Sequence, residues 1–136
     1  MRRHALALAV LCVLAAVVGG WLLLRHPPPQ AVPEGLPGIP GCALATLPPE
    51  AADTVAAIHS GGPFPYPRND GVVFGNREGH LPARARAYYH EYTVPAPGSR
   101  SRSTRRIITG GTPPQFFYTG DHYDSFRLIT DTEGPR

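Results

Sequence analysis

An uncharged apolar run near the N-terminus limits how much of this chain can fold into a compact core. Residues Ala5–Leu24 contain no charged side chain and follow Arg2 and Arg3. Such a run is about long enough to span a bilayer, and a basic start is also typical of signal peptides. We predict that residues 1–26 are a cleaved signal peptide or an uncleaved membrane anchor. Either one makes the remainder secreted/extracellular or anchored to the outer face of the cytoplasmic membrane.

The next segment, residues 27–41, is predicted to be a linker. Positions 27–40 hold six prolines and two glycines. This composition favours an extended, semi-rigid spacer. Residues 42–136 are left to form a single folded domain.

The predicted domain is close to neutral. Residues 42–136 contain ten arginines and nine acidic residues. This balance excludes a broad basic face for duplex DNA, so any nucleic-acid contact must come from a local arginine cluster. Four arginines fall within Ser99–Arg106, which is either a solvated basic loop or a phosphate clamp. Cys42 is the only cysteine of the domain, so no internal disulfide is expected.

Apolar spacing predicts one helix followed by strands. Residues between Ala51 and Ile58 repeat at helical spacing, after two prolines and before Ser60-Gly61-Gly62-Pro63. Five later segments, separated by turn residues, predict strands: Val72–Phe74, Ala87–Val94, Arg105–Thr109, Phe116–Thr119 and Ser125–Ile129. This order predicts an α+β fold in which one N-terminal helix packs on a small antiparallel β-sheet.

Two candidate chemical groups stand in the strand-rich half. In the segment AYYHEYTV, strand alternation puts Glu91 on the same face as Tyr89 and Thr93. His122 lies in the loop segment TGDHYDSF. Taken singly, a strand glutamate is more often solvated than catalytic, and a loop histidine is more often simply exposed.

Six segments, taken together, carry a family resemblance. They are LPPEAADT (Leu47–Thr54), GPFPY (Gly62–Tyr66), DGVVFGNRE (Asp70–Glu78), YYHEYTV (Tyr88–Val94), TRRIITG (Thr104–Gly110) and YTGDHYDSF (Tyr118–Phe126). From Cys42 to Ile129 the chain resembles the barnase-like guanyl-specific ribonucleases of bacteria, especially the secreted actinobacterial type. The resemblance implies the microbial ribonuclease fold and an endoribonuclease that cuts single-stranded RNA 3′ of guanosine through a 2′,3′-cyclic phosphate. It implies no cofactor and no metal.

The resemblance also implies four catalytic residues. Glu91 would be the general base and His122 the general acid, while Arg102 and Arg106 would hold the scissile phosphate. These residue types suit the chemistry, because RNA carries its own nucleophile, the 2′-OH. Fixed guanidinium groups stabilise the charge that accumulates on the phosphate oxygens.

Guanine recognition is implied for the segment FGNRE and for Tyr123. In the family, backbone N–H groups of this loop face guanine O6, and a glutamate, here Glu78, accepts from N1–H and N2–H. Aromatic side chains can stack on the base, although Phe74 is equally well read as a core residue. The predicted substrate-binding residues are Phe74, Gly75, Asn76, Arg77, Glu78 and Tyr123.

Two departures from the family affect the expectations. Relatives of the secreted type usually carry a second cysteine near the C-terminus, which is absent here, so we expect a less stable domain. Gly75 replaces a longer side chain, so we expect a more flexible loop with retained specificity.

The expected partners are single-stranded RNA, a barstar-like protein inhibitor by resemblance, and the membrane if the N-terminal segment is uncleaved. We expect a monomer. The alternative function is a catalytically inactive, surface-tethered module that binds RNA or a protein partner through the same fold.

Overall fold

A computed structural model describes residues 34–132. Within that range the elements are β1 (Gly41–Cys42), a 3₁₀ turn (Leu44–Thr46), α1 (Pro49–Ser60), β2 (Val72–Val73), β3 (Tyr89–Thr93), β4 (Arg106–Gly110), β5 (Gln115–Thr119) and β6 (Arg127–Ile129). The α+β prediction is confirmed. The predicted signal peptide or anchor lies outside the described residues. Inside residues 34–132, no helix has both the length and the apolar character to cross a membrane.

Local sequence explains both ends of α1. Pro49 occupies the first helical turn, where its missing N–H costs no hydrogen bond, and Glu50 places a negative charge at the same end. Gly61 ends the helix with φ of 75°, a left-handed conformation that glycine adopts without strain. Ala51 and Val55 are buried on the side that faces the sheet.

The six strands form one sheet in the order β1-β6-β5-β4-β3-β2. Strands β2 to β6 pair antiparallel, as predicted. The two-residue strand β1 pairs parallel with β6, so the sheet is mixed rather than purely antiparallel. This strand was not predicted, because two residues are too few to show the alternation of apolar and polar side chains that identifies a strand.

The pairing register separates the sheet into two faces. Glu91 pairs with Ile108, which pairs with Phe117, so these three side chains share one face. The opposite face carries Ile107 and Phe116, which pack with α1 in the first core cluster. The helix therefore covers one face of the sheet, and Glu91 lies on the other.

Residues before Cys42 belong to the fold, although residues 27–41 were predicted to be a linker. Leu36 and Ile39 form a β-bridge, and both pack in the second core cluster with Leu81 and Phe126. Ile39 is 5% exposed. The cause is the two apolar side chains within the proline- and glycine-rich segment, which cover part of the face opposite α1.

Two predicted strands begin two residues later in the structure than expected. Ala87 has a positive φ of 66°, so the chain turns there and β3 starts only at Tyr89. The N–H of Ser125 donates to Asp121, which keeps Ser125 in the preceding loop, and β6 starts at Arg127. Side-chain pattern marks which residues can form a strand, whereas these local contacts decide where pairing begins.

Candidate functional site

The carboxylate of Glu91 lies between two guanidinium groups. Its Oε2 atom is 3.9 Å from Arg102 Nη2 and 3.7 Å from Arg106 Nε. The Glu91 side chain is 15% exposed and that of Arg106 is 3% exposed. Charges with so little water around them interact more strongly than charges on an open surface.

Backbone and side-chain contacts hold both arginines in place. Arg102 Nε donates to Thr93 Oγ1 at 2.7 Å, and Thr93 lies two residues after Glu91 on the same strand face. Arg106 Nη1 donates to the carbonyls of Ser103 and Arg105. Two buried donors, Arg102 Nη2 and Arg106 Nε, have no hydrogen-bond partner among the described residues. Cationic donors without a hydrogen-bond acceptor are suited to an anion.

Tyr123 links the loop after β5 to Glu91. Its hydroxyl donates to Glu91 Oε2. Burial, and then the hydrogen bond to Glu91 and the negative charge of Glu91, raise the pKa of Tyr123 above its usual value. The ring of His122, which is exposed, lies 4.8 Å from the ring of Tyr123. His122 therefore stands beside the residue that contacts Glu91.

The loop carrying His122 is held by a network around Asp121. Asp121 Oδ1 accepts from the hydroxyl of Thr119 at 2.8 Å and from the N–H of Ser125 at 3.0 Å, and Oδ2 accepts from the Ser125 hydroxyl. These bonds, that of the Ser125 hydroxyl first, lower the pKa of Asp121 to about 2. The network keeps His122 and Tyr123 in left-handed conformations, with φ of 59° and 80°, which non-glycine residues seldom adopt.

A cleft of about 940 Å³ opens next to Glu91. The loop Phe74–Gly79 forms one wall, and Glu91 and Tyr123 line it as well. The rings of Phe74 and Tyr123 are 5.0 Å apart. Phe74 also lies 6.1 Å from the ring of Phe126 in the second core cluster, so it both packs in the core and lines the cleft.

The side chain of Asn76 shapes this loop from within. Its Nδ2 donates to the Leu81 carbonyl at 2.8 Å, and its Oδ1 accepts from the Leu81 N–H at 3.1 Å. Asn76 is thereby held at a positive φ of 46°. Its amide is occupied, so its predicted contribution to binding is limited to loop shape and its backbone. Glu78 is exposed and lines the cleft.

The structure brings nine of the ten predicted site residues to one region of the molecule, and it places His122 next to Tyr123 on the loop after β5. Their individual roles stay predictions. The nine are Glu91, Arg102 and Arg106 at the carboxylate, and Phe74, Gly75, Asn76, Arg77, Glu78 and Tyr123 along the cleft. Among residues 34–132, no group of His, Cys, Asp or Glu side chains is arranged to hold a metal ion.

Sequence reasoning missed the residues that position the site. Asp70 is buried, and its two oxygens accept from the N–H of Thr93 at 2.7 Å and of Tyr66 at 3.0 Å. It thereby fixes the end of β3 next to Glu91. The available signal was the Asn69-Asp70-Gly71 turn, whose aspartate is a common backbone acceptor. Thr93 shares the face of Glu91, so its contact with Arg102 could also have been proposed.

Curated proteins similar to this chain are ribonucleases. Guanyl-specific ribonuclease Sa from Kitasatospora aureofaciens is 60% identical over 89 residues, which cover 65% of this chain and 92% of that protein. Guanyl-specific ribonuclease St from Saccharopolyspora erythraea is 58% identical over 85 residues, covering 62% of this chain and 82% of the relative.

Solved structures agree. Ribonuclease Sa2, determined in complexes with mononucleotides, matches with a TM-score of 0.64 and 46% identity over 67% of this chain and 93% of the other. Ribonuclease Sa2 with guanosine-2′-cyclophosphate matches with a TM-score of 0.62 and 45% identity, over 67% and 95%. The family model described as ribonuclease matches residues 37–130. The chain therefore belongs to the ribonuclease family.

Proposed function

We propose that the chain is an endoribonuclease that cleaves single-stranded RNA 3′ of guanosine, without a metal ion. The observation that carries the proposal is the carboxylate of Glu91, which lines the cleft together with the loop Phe74–Gly79. It forms ion pairs with two guanidinium groups whose nearest donors make no hydrogen bond with a described residue. Relatives of the chain are named guanyl-specific ribonucleases.

Transesterification follows from this arrangement. Glu91 removes the proton from the ribose 2′-OH, the 2′-oxygen attacks phosphorus, and the bond from phosphorus to the 5′-oxygen breaks. His122 donates a proton to that departing oxygen. Arg102 and Arg106 direct N–H groups to the phosphate oxygens, where negative charge accumulates. The product is a 2′,3′-cyclic phosphate, and water hydrolyses it later with the two groups exchanging roles.

Guanine selection is assigned to the loop Phe74–Glu78. The Glu78 carboxylate accepts from guanine N1–H and N2–H, and loop N–H groups face O6. Adenine presents a different donor pattern to a carboxylate at this edge and is disfavoured. The rings of Phe74 and Tyr123 pack against each other at the cleft, with centroids 5.0 Å apart. They offer one aromatic surface on which the base stacks.

Digestion of a defined oligoribonucleotide in the presence of EDTA tests the function. The full chain should cut after guanosine and leave 2′,3′-cyclic phosphate ends. E91A and H122A should each lower the rate by about 10²–10⁴-fold, the usual contribution of a general acid or base. Cleavage no faster than the E91A/H122A double variant would overturn the proposal. Binding of guanosine monophosphate without any turnover would favour the inactive binding module instead.

The location and further partners rest on the sequence. The apolar run Ala5–Leu24 supports export, either as a secreted protein or as a protein anchored to the outer face of the cytoplasmic membrane. A barstar-like inhibitor is proposed from the family resemblance, and the chain is expected to be a monomer. Fractionation of cells into medium, membrane and cytoplasm tests the location, and recovery only in the cytoplasm would contradict it.

A further inference from the structure

The cleft extends past the residues assigned to guanine. One of its walls is the segment Ala83–Ala87, which precedes β3 and carries Arg84 and Arg86. Strand β3 runs from this wall to Thr93, the residue that accepts from Arg102. Its five residues span about 13 Å at the usual rise of a strand. The wall segment therefore lies at the Tyr89 end of β3, whereas Arg106 pairs with Thr93, and Arg102 donates to Thr93, at the other end.

Both wall arginines have guanidinium groups available to a ligand. Arg84 and Arg86 are exposed, and no carboxylate of residues 34–132 forms an ion pair with either. Arg84 lies over the ring of Tyr88, 5.5 Å from its centroid. Stacking on a ring orients a guanidinium and leaves its N–H edge available to donate. Nη1 of Arg84 donates to the Ala83 carbonyl at 3.3 Å, and its other N–H groups form no hydrogen bond with a described residue.

The charges that line the cleft are unbalanced at this wall. The lining carboxylates are those of Glu78 and Glu91. Glu91 lies with Arg102 and Arg106, and Glu78 is assigned to the guanine edge. Arg84 and Arg86 are thus left without a matching negative group. An RNA strand supplies one negative charge for every nucleotide, and the guanidinium fork suits phosphate oxygens.

We propose that Arg84 and Arg86 form a second phosphate subsite, which binds a backbone phosphate of the RNA strand other than the scissile one. This inference rests on the proposed function of the same cleft. Phosphate contacts add affinity and fix register without reading bases. The subsite therefore favours strands longer than a dinucleotide, whatever the flanking base. Flanking phosphates exist on both sides of guanosine, and substrates extended on one side alone distinguish them.

The test compares the full chain with its R84Q/R86Q variant on three substrates. GpA contains only the scissile phosphate, ApGpA adds one phosphate on the 5′ side, and GpApA adds one on the 3′ side. For the unchanged protein, one of the extended substrates should have a higher kcat/KM than GpA. The variant should lose about fivefold on that substrate, the size expected of two exposed ion pairs, and should stay within twofold on GpA.

A matched variant controls for overall charge. R68Q/R127Q removes two charges from exposed arginines that do not line the cleft. This variant should still cleave the extended substrate with a higher kcat/KM than GpA, because the charges that it removes do not lie at the wall. Equal losses in both double variants would mean that only the net charge matters, and this result would overturn the subsite.

Binding of uncleavable analogues separates the subsite from catalysis. The 2′-deoxy forms of the three substrates lack the nucleophile, so their affinities report contacts alone. The R84Q/R86Q variant should bind the extended analogue about fivefold more weakly, with a salt dependence shallower by about 0.7 in log–log slope for one lost phosphate contact. If the protein failed to cleave GpA but the two proteins still differed in affinity for the extended analogue, only the proposed function would be contradicted. No affinity difference on either extended analogue would sink the subsite and leave the arginines to an acidic protein partner.

Discussion

Individual contacts around Glu91 turn an ordinary strand glutamate into a candidate base. The hydroxyl of Tyr123 and the guanidinium groups of Arg102 and Arg106 surround the same oxygen, Oε2. Removing Glu91 would leave two guanidinium groups without their counter-charge in a largely buried place, and removing Tyr123 would take away the hydrogen-bond donor of Oε2. The chemistry of the site therefore depends on several contacts at once. Asp121 contributes indirectly, because it holds the loop that carries His122 and Tyr123.

Asp121 should stabilise the protein in a pH-dependent way. Its pKa is lowered to about 2 in the folded state, so its contribution is complete above the ordinary value of 3.8 and is lost as pH falls from 3.8 to 2. D121N should lower the Tm at pH 5–6, and the difference from the unchanged protein should shrink toward pH 2. Circular dichroism melts across this range measure it.

D124N is the control for this experiment. Asp124 is the exposed neighbouring aspartate, and none of its side-chain atoms forms a hydrogen bond with a described residue. Its substitution should change the Tm little at any of these pH values. A D121N difference that stayed constant with pH would contradict the assigned role of the Asp121 charge.

The loop Phe74–Gly79 is the element that forms the base-binding wall, and its shape depends on a few backbone conformations. The Asn76 side chain joins the loop to Leu81. Gly79 has a positive φ of 70°, whereas the φ of Gly75 lies in the range open to any residue. The two glycines therefore differ in what they contribute, although they look alike in the sequence.

Substitution by alanine should separate the two glycines. A Cβ at Gly75 would lie 3.6 Å from Arg77 Cγ, an ordinary contact, so G75A should stabilise the protein by about 0.4–1 kcal/mol by restricting the unfolded chain. G79A should destabilise it by about 1–2 kcal/mol, because alanine is strained at that φ. Urea unfolding measures both. Destabilisation by G75A would mean that the loop requires glycine there, and cleavage after guanosine should be retained in G75A.

At the scale of the whole molecule, the two faces of the sheet have different roles: one packs in the core with α1, and the other carries the candidate site. The face that carries Ile107 and Phe116 is packed by α1 and forms the first core cluster. The opposite face carries Glu91 and holds the cleft. Cys42 is buried in the first cluster and has a free thiol. Burial raises the pKa of that thiol, which keeps it protonated and less reactive.

Cys42 should act as a packing residue and not as half of a crosslink. The Tm of the full chain should be the same with and without reductant. C42A should cost about 1 kcal/mol, because a small buried group is lost from the core. Chemical denaturation gives the free energy of unfolding. A Tm that falls in reductant would reveal a stabilising disulfide and contradict this assignment. A bridge typically adds about 2–4 kcal/mol, so relatives with the second cysteine should be more stable by about that amount.

Much of the fold could be predicted from local patterns. Helical spacing between Ala51 and Ile58 and the alternation in Tyr89–Thr93 identified α1 and β3, because each period is a property of neighbouring residues. The catalytic candidates came only from the family resemblance, since a glutamate and a histidine in isolation are more often structural. Neither Asp70 nor Asp121 was identified, because their partners are backbone groups whose positions a sequence does not display.

The sequence by itself determined the helix, the main strands, the face on which Glu91 lies and the family. The tertiary structure alone decided which distant residues meet. Tyr123 and Glu91 are 32 positions apart, and their hydrogen bond exists because the loop after β5 folds back over the sheet. Leu36 and Ile39 became core residues, and Arg84 and Arg86 became a wall of the cleft, for the same reason. Period and composition record what each segment prefers locally, whereas contacts between segments depend on how their surfaces pack together.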